Sequence, residues 1–222
     1  MTPVKPVVEH PIWVRQALHK TEIAPLKDLA ERSGRPGQRF GPRSELAQSL
    51  AQSALLQNLR RICPKADVTR VVGFDKTDRH NWVTPWHQDR VIAVSDKHDL
   101  PGYENWSQKS GIWHCEPPET ILRSMLFTRL FLDDVGPDNG GMEYAKGSHM
   151  SGCVAASDAE KTALQYETEI ETGTAGDLLI LPMLTLHRSR PAKQPGHRAV
   201  LRIDCATQPL PAPLSWLSWE RE

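Results

Sequence analysis

The stretch GDLLILPMLTLHRSRPAKQPGHRAVLRID, residues 176–204, decides how this chain is read. Leu178 to Leu181 is a continuous apolar run, short enough for a strand buried on both faces. LTLHRSR then alternates, which places His187 and Ser189 on one face, because successive side chains of a strand point to opposite sides. PAKQPG is turn chemistry, and RAVLRID returns as a further strand. A turn centred near residues 192 and 193 predicts a hairpin in which Arg198 lies across from His187. That hairpin would present an imidazole, a hydroxyl and a guanidinium on a shared face.

Outward from this segment the chain keeps the same texture. VTRVVGFD, RVIAVSD, MLFTRLFLDD, GMEYAKG, TEIETG, DLLILP and RAVLRIDCAT are short β-rich runs punctuated by Gly, Pro, Asn and Asp. That is the pattern of an antiparallel sandwich or barrel. No βαβ alternation, internal repeat or low-complexity linker appears. The first third reads helical instead. TEIAPLKDLAER has a Thr21 cap and ends at Ser33-Gly34, before the loop SGRPGQRFGP. RSELAQSLAQSALLQNLRRIC spaces Leu46, Leu50, Leu55, Leu59 and Ile62 as one helix, stopped by Pro64. The aperiodic KHDLPGYENWSQKSGIWHCEPPET has the length of a functional insertion, and Tyr103, Trp106 and Trp113 favour a packed lid.

Composition narrows the function. The 222 residues carry 27 basic and 27 acidic side chains with no block of like charge, which argues against a nucleic-acid partner. No apolar run reaches the roughly 18 residues that span a bilayer, and the N-terminus lacks the apolar core of a signal peptide. Cys63, Cys115, Cys153 and Cys205 lie far apart with no CxxC pair and read as reduced, mostly buried thiols. The expectation is a cytoplasmic protein with a small-molecule substrate, no nucleic-acid or membrane partner, and an undetermined oligomeric state.

The chemistry begins at TPWHQDR, residues 84–90. His87 and Asp89, two apart on an extended chain, can aim an imidazole and a carboxylate at one point. With His187 as third ligand they would form the two-His-one-carboxylate set that suits non-haem Fe(II) oxygenases. The spacing alone is weak, since His114-Cys115-Glu116 repeats it in an irregular stretch. The first pair leads directly into a strand, and rigid elements hold ligands better than loops. Arg198 suits bidentate grip of a carboxylate, such as the far end of 2-oxoglutarate.

Three pieces in order, FDKTDRHNWVTPWHQD, TRLFLDDVGPDNGGMEYAKGSH and GDLLILPMLTLHRSRPAKQPGHR, resemble the phytanoyl-CoA dioxygenase-like family of Fe(II)/2-oxoglutarate-dependent oxygenases. The resemblance covers most of residues 70–205 and implies a mainly β fold with flanking helices, a double-stranded β-helix of jelly-roll or cupin-like type. It implies one domain over 1–222: a helical flank to 65, a core over 66–208 with a lid insertion at about 96–120, and a tail over 209–222. It implies iron held by His87, Asp89 and His187, with Arg198 and Ser189 on 2-oxoglutarate and Lys76 as a further pocket contact. Lys146 stands where the family commonly has proline. His149 takes a structural or pocket-wall role, and His114, with Trp106, Trp113 and Tyr103, lines the substrate side without touching iron. The implied reaction is hydroxylation of a small metabolite or natural-product intermediate, coupled to oxidative decarboxylation of 2-oxoglutarate by O2 to succinate and CO2. No separate acid or base is assigned, and Asp89 argues against halogenation, which needs a small residue there. Desaturation, epimerisation or ring formation would use the same set. A non-oxidative cupin-like metalloenzyme or a non-catalytic binding protein are the readings from other classes.

Overall fold

A computed structural model describes residues 7–32, 37–194 and 196–219. Helix α1 (Lys20–Glu31) buries Ile23, Leu26 and Ala30 along one stripe. Its cap is His19 rather than Thr21. The His19 ring accepts from the Thr21 N–H, and the His19 N–H donates to Glu22 Oε2 at 2.8 Å. The expected end of this helix at Ser33-Gly34 lies outside the described residues.

The single helix expected after residue 43 is two, α2 (Glu45–Gln52) and α3 (Leu55–Ile62). Ser53 leaves helical space with ψ 166°, and its hydroxyl donates to the Leu50 carbonyl at 2.7 Å. The Ala54 N–H, freed by the break, donates to Glu22 Oε1 at 2.7 Å. Helix α1 thus satisfies the donor that a continuous helix would have used itself. The leucine spacing survives the break, since Leu46, Leu50, Leu55 and Leu59 all enter the same core.

The strands are β1 (Ile12–Val14), β2 (Gly37–Phe40), β3 (Asp67–Lys76), β4 (Thr84–His87), β5 (Ile92–Val94), β6 (Glu104–Lys109) and β7 (Ile112–Glu116). They continue as β8 (Met125–Phe131), β9 (Met142–Ala145), β10 (Thr168–Ile170), β11 (Leu178–Pro182), β12 (His187–Ser189) and β13 (Arg198–Ala206). Two short helices, α4 (Glu119–Arg123) and α5 (Ala159–Ala163), punctuate them. The sheets run β1-β11-β8-β13-β3-β2, β10-β9-β12-β4 and β5-β7-β6, and every pairing is antiparallel.

This corrects the expected double-stranded β-helix. Among the described residues the three sheets are open, and none closes into a barrel. The six-stranded sheet ends on the short edges β1 and β2, and the four-stranded sheet on β10 and β4. The residues expected as a loop before helix α2 supply one of those edges, since Gly37–Phe40 pairs with Val71–Phe74.

A second correction concerns the opening segment. β12 and β13 do not form a hairpin. β12 lies between β9 and β4, whereas β13 lies between β8 and β3. The turn between them passes from one sheet to another, so His187 and Arg198 meet at a cavity between sheets rather than side by side on one.

The expected lid is also ordered, because Ser110 and Gly111 take positive φ (52° and 78°) and turn β6 into β7. Tyr103, Trp106 and Trp113 pack with the core beside that sheet. No helix among the described residues is long and apolar enough to cross a membrane. All four cysteines are free thiols, three buried and Cys153 exposed.

Strand β13 is buried along its whole length although it carries three charges. Ala199, Leu201, Ile203 and Cys205 enter the apolar core on one face. Arg198, Arg202 and Asp204 occupy the alternate positions. Charges on the buried face of a central strand are expensive unless they are paired.

Candidate metal centre and cosubstrate pocket

β4 and β12 pair so that His87 stands opposite His187, with ring centroids 4.3 Å apart. Both imidazoles are fixed alike. His87 Nδ1 lies 2.8 Å from the Pro85 carbonyl, and His187 Nδ1 lies 2.9 Å from the Thr185 carbonyl. A carbonyl only accepts, so each Nδ1 holds the proton and each Nε2 keeps its lone pair. Burial pushes both rings down to about 4, so they are neutral at neutral pH.

Asp89 completes the group, with ligand-type atoms of the three residues all within 4.8 Å of one another. Its Oδ2 lies 3.1 Å from His187 Nε2. With the ring neutral and Nδ1 protonated, these are two acceptors with no hydrogen between them, an arrangement that a cation relieves. Gln88, between the two expected ligands, points the other way. It donates to the Gly152 and Leu184 carbonyls at 2.8 and 2.7 Å and accepts from the Val154 N–H at 2.8 Å. The segment that carries His87 and Asp89 is therefore tied to two other segments.

These residues open onto a cavity of about 250 Å³ whose lining includes Arg198 and Ser189. Arg198 is 2% exposed. Its Nη2 donates to the Gly140 carbonyl at 3.1 Å, while Nε and Nη1 have no partner among the described residues. Burial pulls this guanidinium down to about 10, so it still carries its charge at neutral pH. A buried cation with two idle donors is the complement of a carboxylate. Ser189 Oγ accepts from Lys76 Nζ at 2.9 Å, and the same ammonium also donates to the Arg190 carbonyl. Lys76 sits across the strands from Arg198 in register and behind Ser189, not on the cavity wall.

The sequence reading missed Arg202. Its Nη1 pairs with Asp89 Oδ2, and its Nε donates to Asp204 Oδ1 at 2.7 Å. Asp204 is held from its other oxygen by Arg70 at 2.6 Å. The alternation of β13 was a usable signal, since Arg198 and Arg202 lie four positions apart on a strand and so share a face. Trp82, Phe74, Phe127 and Met142 also face the cavity, and no periodicity marked them.

Tyr103, Trp106, Trp113 and His114 are not brought to this cavity. The ring nitrogen of His114 lies 2.9 Å from the Ile112 carbonyl within the three-stranded sheet. His149 is buried elsewhere, with neither ring nitrogen partnered among the described residues. One wall is anchored by a bidentate pair, Arg129 to Glu171 at 2.9 and 2.6 Å, and Glu171 is fully buried. Arg129→Leu strands that carboxylate without its cation. It should lower unfolding stability by about 3–5 kcal/mol, read by urea denaturation.

A family model described as phytanoyl-CoA dioxygenase (PhyH) matches residues 15–200, most of the chain. The chain belongs to the PhyH family. It is thereby placed among the Fe(II)/2-oxoglutarate-dependent oxygenases. Comparison with curated protein sequences finds no match. Several solved structures share the PhyH chain's fold. HygX from Streptomyces hygroscopicus, solved with nickel and 2-oxoglutarate bound, is 18% identical with a TM-score of 0.60, covering 89% of this chain and 82% of that one. AviO1 from Streptomyces viridochromogenes Tue57 is 19% identical with a TM-score of 0.61, covering 91% and 93%. SnoN, a non-heme alpha ketoglutarate dependent epimerase from nogalamycin biosynthesis, is 14% identical with a TM-score of 0.62, covering 94% and 80%.

Proposed function

We propose that this PhyH-family chain is an Fe(II)- and 2-oxoglutarate-dependent dioxygenase that hydroxylates a C–H bond of a small molecule, releasing succinate and CO2. One observation carries the reading. The idle guanidinium edge of Arg198 faces the same cavity as two neutral imidazoles and a carboxylate. The donor set fits the metal, since two imidazoles and one carboxylate suit non-haem Fe(II). When bound, the iron and 2-oxoglutarate supply the oxygen-activating chemistry.

The protein's own part is binding, orientation and exclusion of water. His87, Asp89 and His187 would hold the metal, Asp89 offsetting part of its charge. Arg198 would grip the far carboxylate of 2-oxoglutarate, with Ser189 beside it and Lys76 behind. Asp204 keeps Arg202 at Asp89, so the carboxylate is held before any metal arrives. Trp82, Phe74 and Phe127 supply apolar wall on which a substrate would rest. The test is succinate release from 2-oxoglutarate under Fe(II) and oxygen against a panel of small metabolites. Absence of 2-oxoglutarate consumption with every compound would overturn the reading. The epimerase likeness makes epimerisation by the same site the second reading, separated by whether the product gains an oxygen atom.

Lys76 gives the cosubstrate grip a pH dependence. Burial, reinforced by Arg198 and Arg129, pulls its ammonium down to about 8. Below that pH it is charged and supports a bound carboxylate; above it the charge is lost. Affinity for 2-oxoglutarate should therefore fall as pH rises beyond about 8. Lys76→Met should flatten that profile, as measured by calorimetric titration.

A further inference from the structure

At the paired ends of β3 and β13, Arg198 lines the cavity described above, whereas its neighbour His197 lines a separate cleft of about 370 Å³. Asp75, the neighbour of Lys76, and Glu31, the last residue of α1, line the same cleft. Asp75 Oδ2 lies 3.2 Å from His197 Nδ1, and Glu31 Oε1 lies 4.0 Å from the same nitrogen. Ligand-type atoms of all three residues fall within 4.8 Å of one another.

The hydrogen bonding of this group is incomplete. Asp75 is 9% exposed, and its Oδ1 is buried with no donor among the described residues. Glu31 Oε1 is likewise buried and without a hydrogen-bond donor. Lys27 Nζ stands 3.7 Å from that oxygen, but its close partner is Asp133 at 2.5 Å. A single imidazole N–H can serve one of these carboxylates, not both. At Glu31 and Asp75, lone pairs therefore exceed the donors that reach them, in a cleft whose lining also carries Asp78 and Arg79. A protonated His197 would reduce the charge without supplying a donor for Asp75 Oδ1 from its one nearby nitrogen.

We propose that Glu31, Asp75 and His197 form a second binding site, for a first-row divalent cation of the zinc or manganese type, separate from the His87–Asp89–His187 group. Donor atoms held about 2.1 Å from such an ion lie about 3.0–3.4 Å apart in tetrahedral or octahedral array. The Asp75–His197 separation already meets that spacing, and the Glu31 separation needs only a small movement of the exposed His197 ring. The imidazole favours zinc over magnesium or calcium, and the two carboxylates also suit manganese. Solvent in the open cleft would complete the coordination. A cation there would tie the end of α1 to the entry of β13, one residue before Arg198.

The test uses the full chain, stripped with chelator, equilibrated with Zn²⁺, passed through a desalting column and assayed for bound metal. The wild type should retain about two equivalents, and His197→Ala and Glu31→Gln about one each, with unchanged circular dichroism. His197 is exposed, and Glu→Gln preserves shape, so neither change threatens folding. A wild-type count of one that persists in His197→Ala would overturn the proposal. A second equivalent surviving both substitutions would also overturn it, as binding elsewhere on the surface. The count does not depend on turnover, so loss of oxygenase activity and loss of this site remain distinguishable.

Discussion

Asp89→Ala is expected to abolish iron-dependent succinate formation, with a loss well beyond the roughly 10–100-fold that removal of an outer partner costs a metal site. The reason lies in the charges left behind. Asp89 is the anionic member of the group, and both imidazoles are neutral at working pH. Without it, a divalent ion would meet two neutral nitrogens and the guanidinium of Arg202, whose partner had been Asp89. Attraction would become repulsion at the entrance to the site. Asp89→Asn keeps the volume and removes the charge, and it should lose metal nearly as completely. His114→Ala serves as the control, because its ring is held within the three-stranded sheet and away from the cavity. Metal content and succinate release measured on all three variants decide the assignment; equal iron loss from His114→Ala would contradict it.

The parts of this site legible in the sequence were those governed by local period. The two-residue spacing of His87 and Asp89, and of His187 and Ser189, needs only the alternation of an extended chain. The relation between His187 and Arg198 was harder, because a turn of PAKQPG composition serves equally to fold a hairpin or to cross between sheets. The crossing is fixed by what each strand finds to pair with. β12 takes β4 and β9, and β13 takes β3 and β8, all from distant parts of the sequence. Closure of the sheets is long-range in the same way, so short antiparallel strands were legible locally while the double-stranded β-helix implied by the family resemblance was not found. The break between α2 and α3 escaped notice because its compensation, the Glu22 carboxylate, lies thirty-two residues earlier. The strand pairing within the expected packed lid hung on a Ser110-Gly111 turn, a signal that was present but outweighed by the irregularity around it.

Arg198→Ala should raise the 2-oxoglutarate requirement by about three orders of magnitude while leaving metal content near that of the wild type. Losing one partner of a buried, hydrogen-bonded charge pair typically costs about 2–5 kcal/mol, and 1.4 kcal/mol is a tenfold change in affinity. The environment of Arg198 favours the upper part of that range. The guanidinium is almost wholly buried, and Nε and Nη1 have no partner among the described residues to compete with a ligand. Lys76 cannot take its place, since its ammonium is engaged by Ser189 and by the Arg190 carbonyl. Arg198→Lys should recover only part of the loss, because a point charge cannot reproduce a planar two-donor edge. Arg198→Ala also removes an unpaired buried charge, so the metal-free protein should be no less stable, and a raised melting temperature would accord with an arginine retained for its ligand rather than for the fold. Titrating 2-oxoglutarate into each variant measures the first effect and thermal unfolding the second. An unchanged 2-oxoglutarate requirement would remove Arg198 from the site.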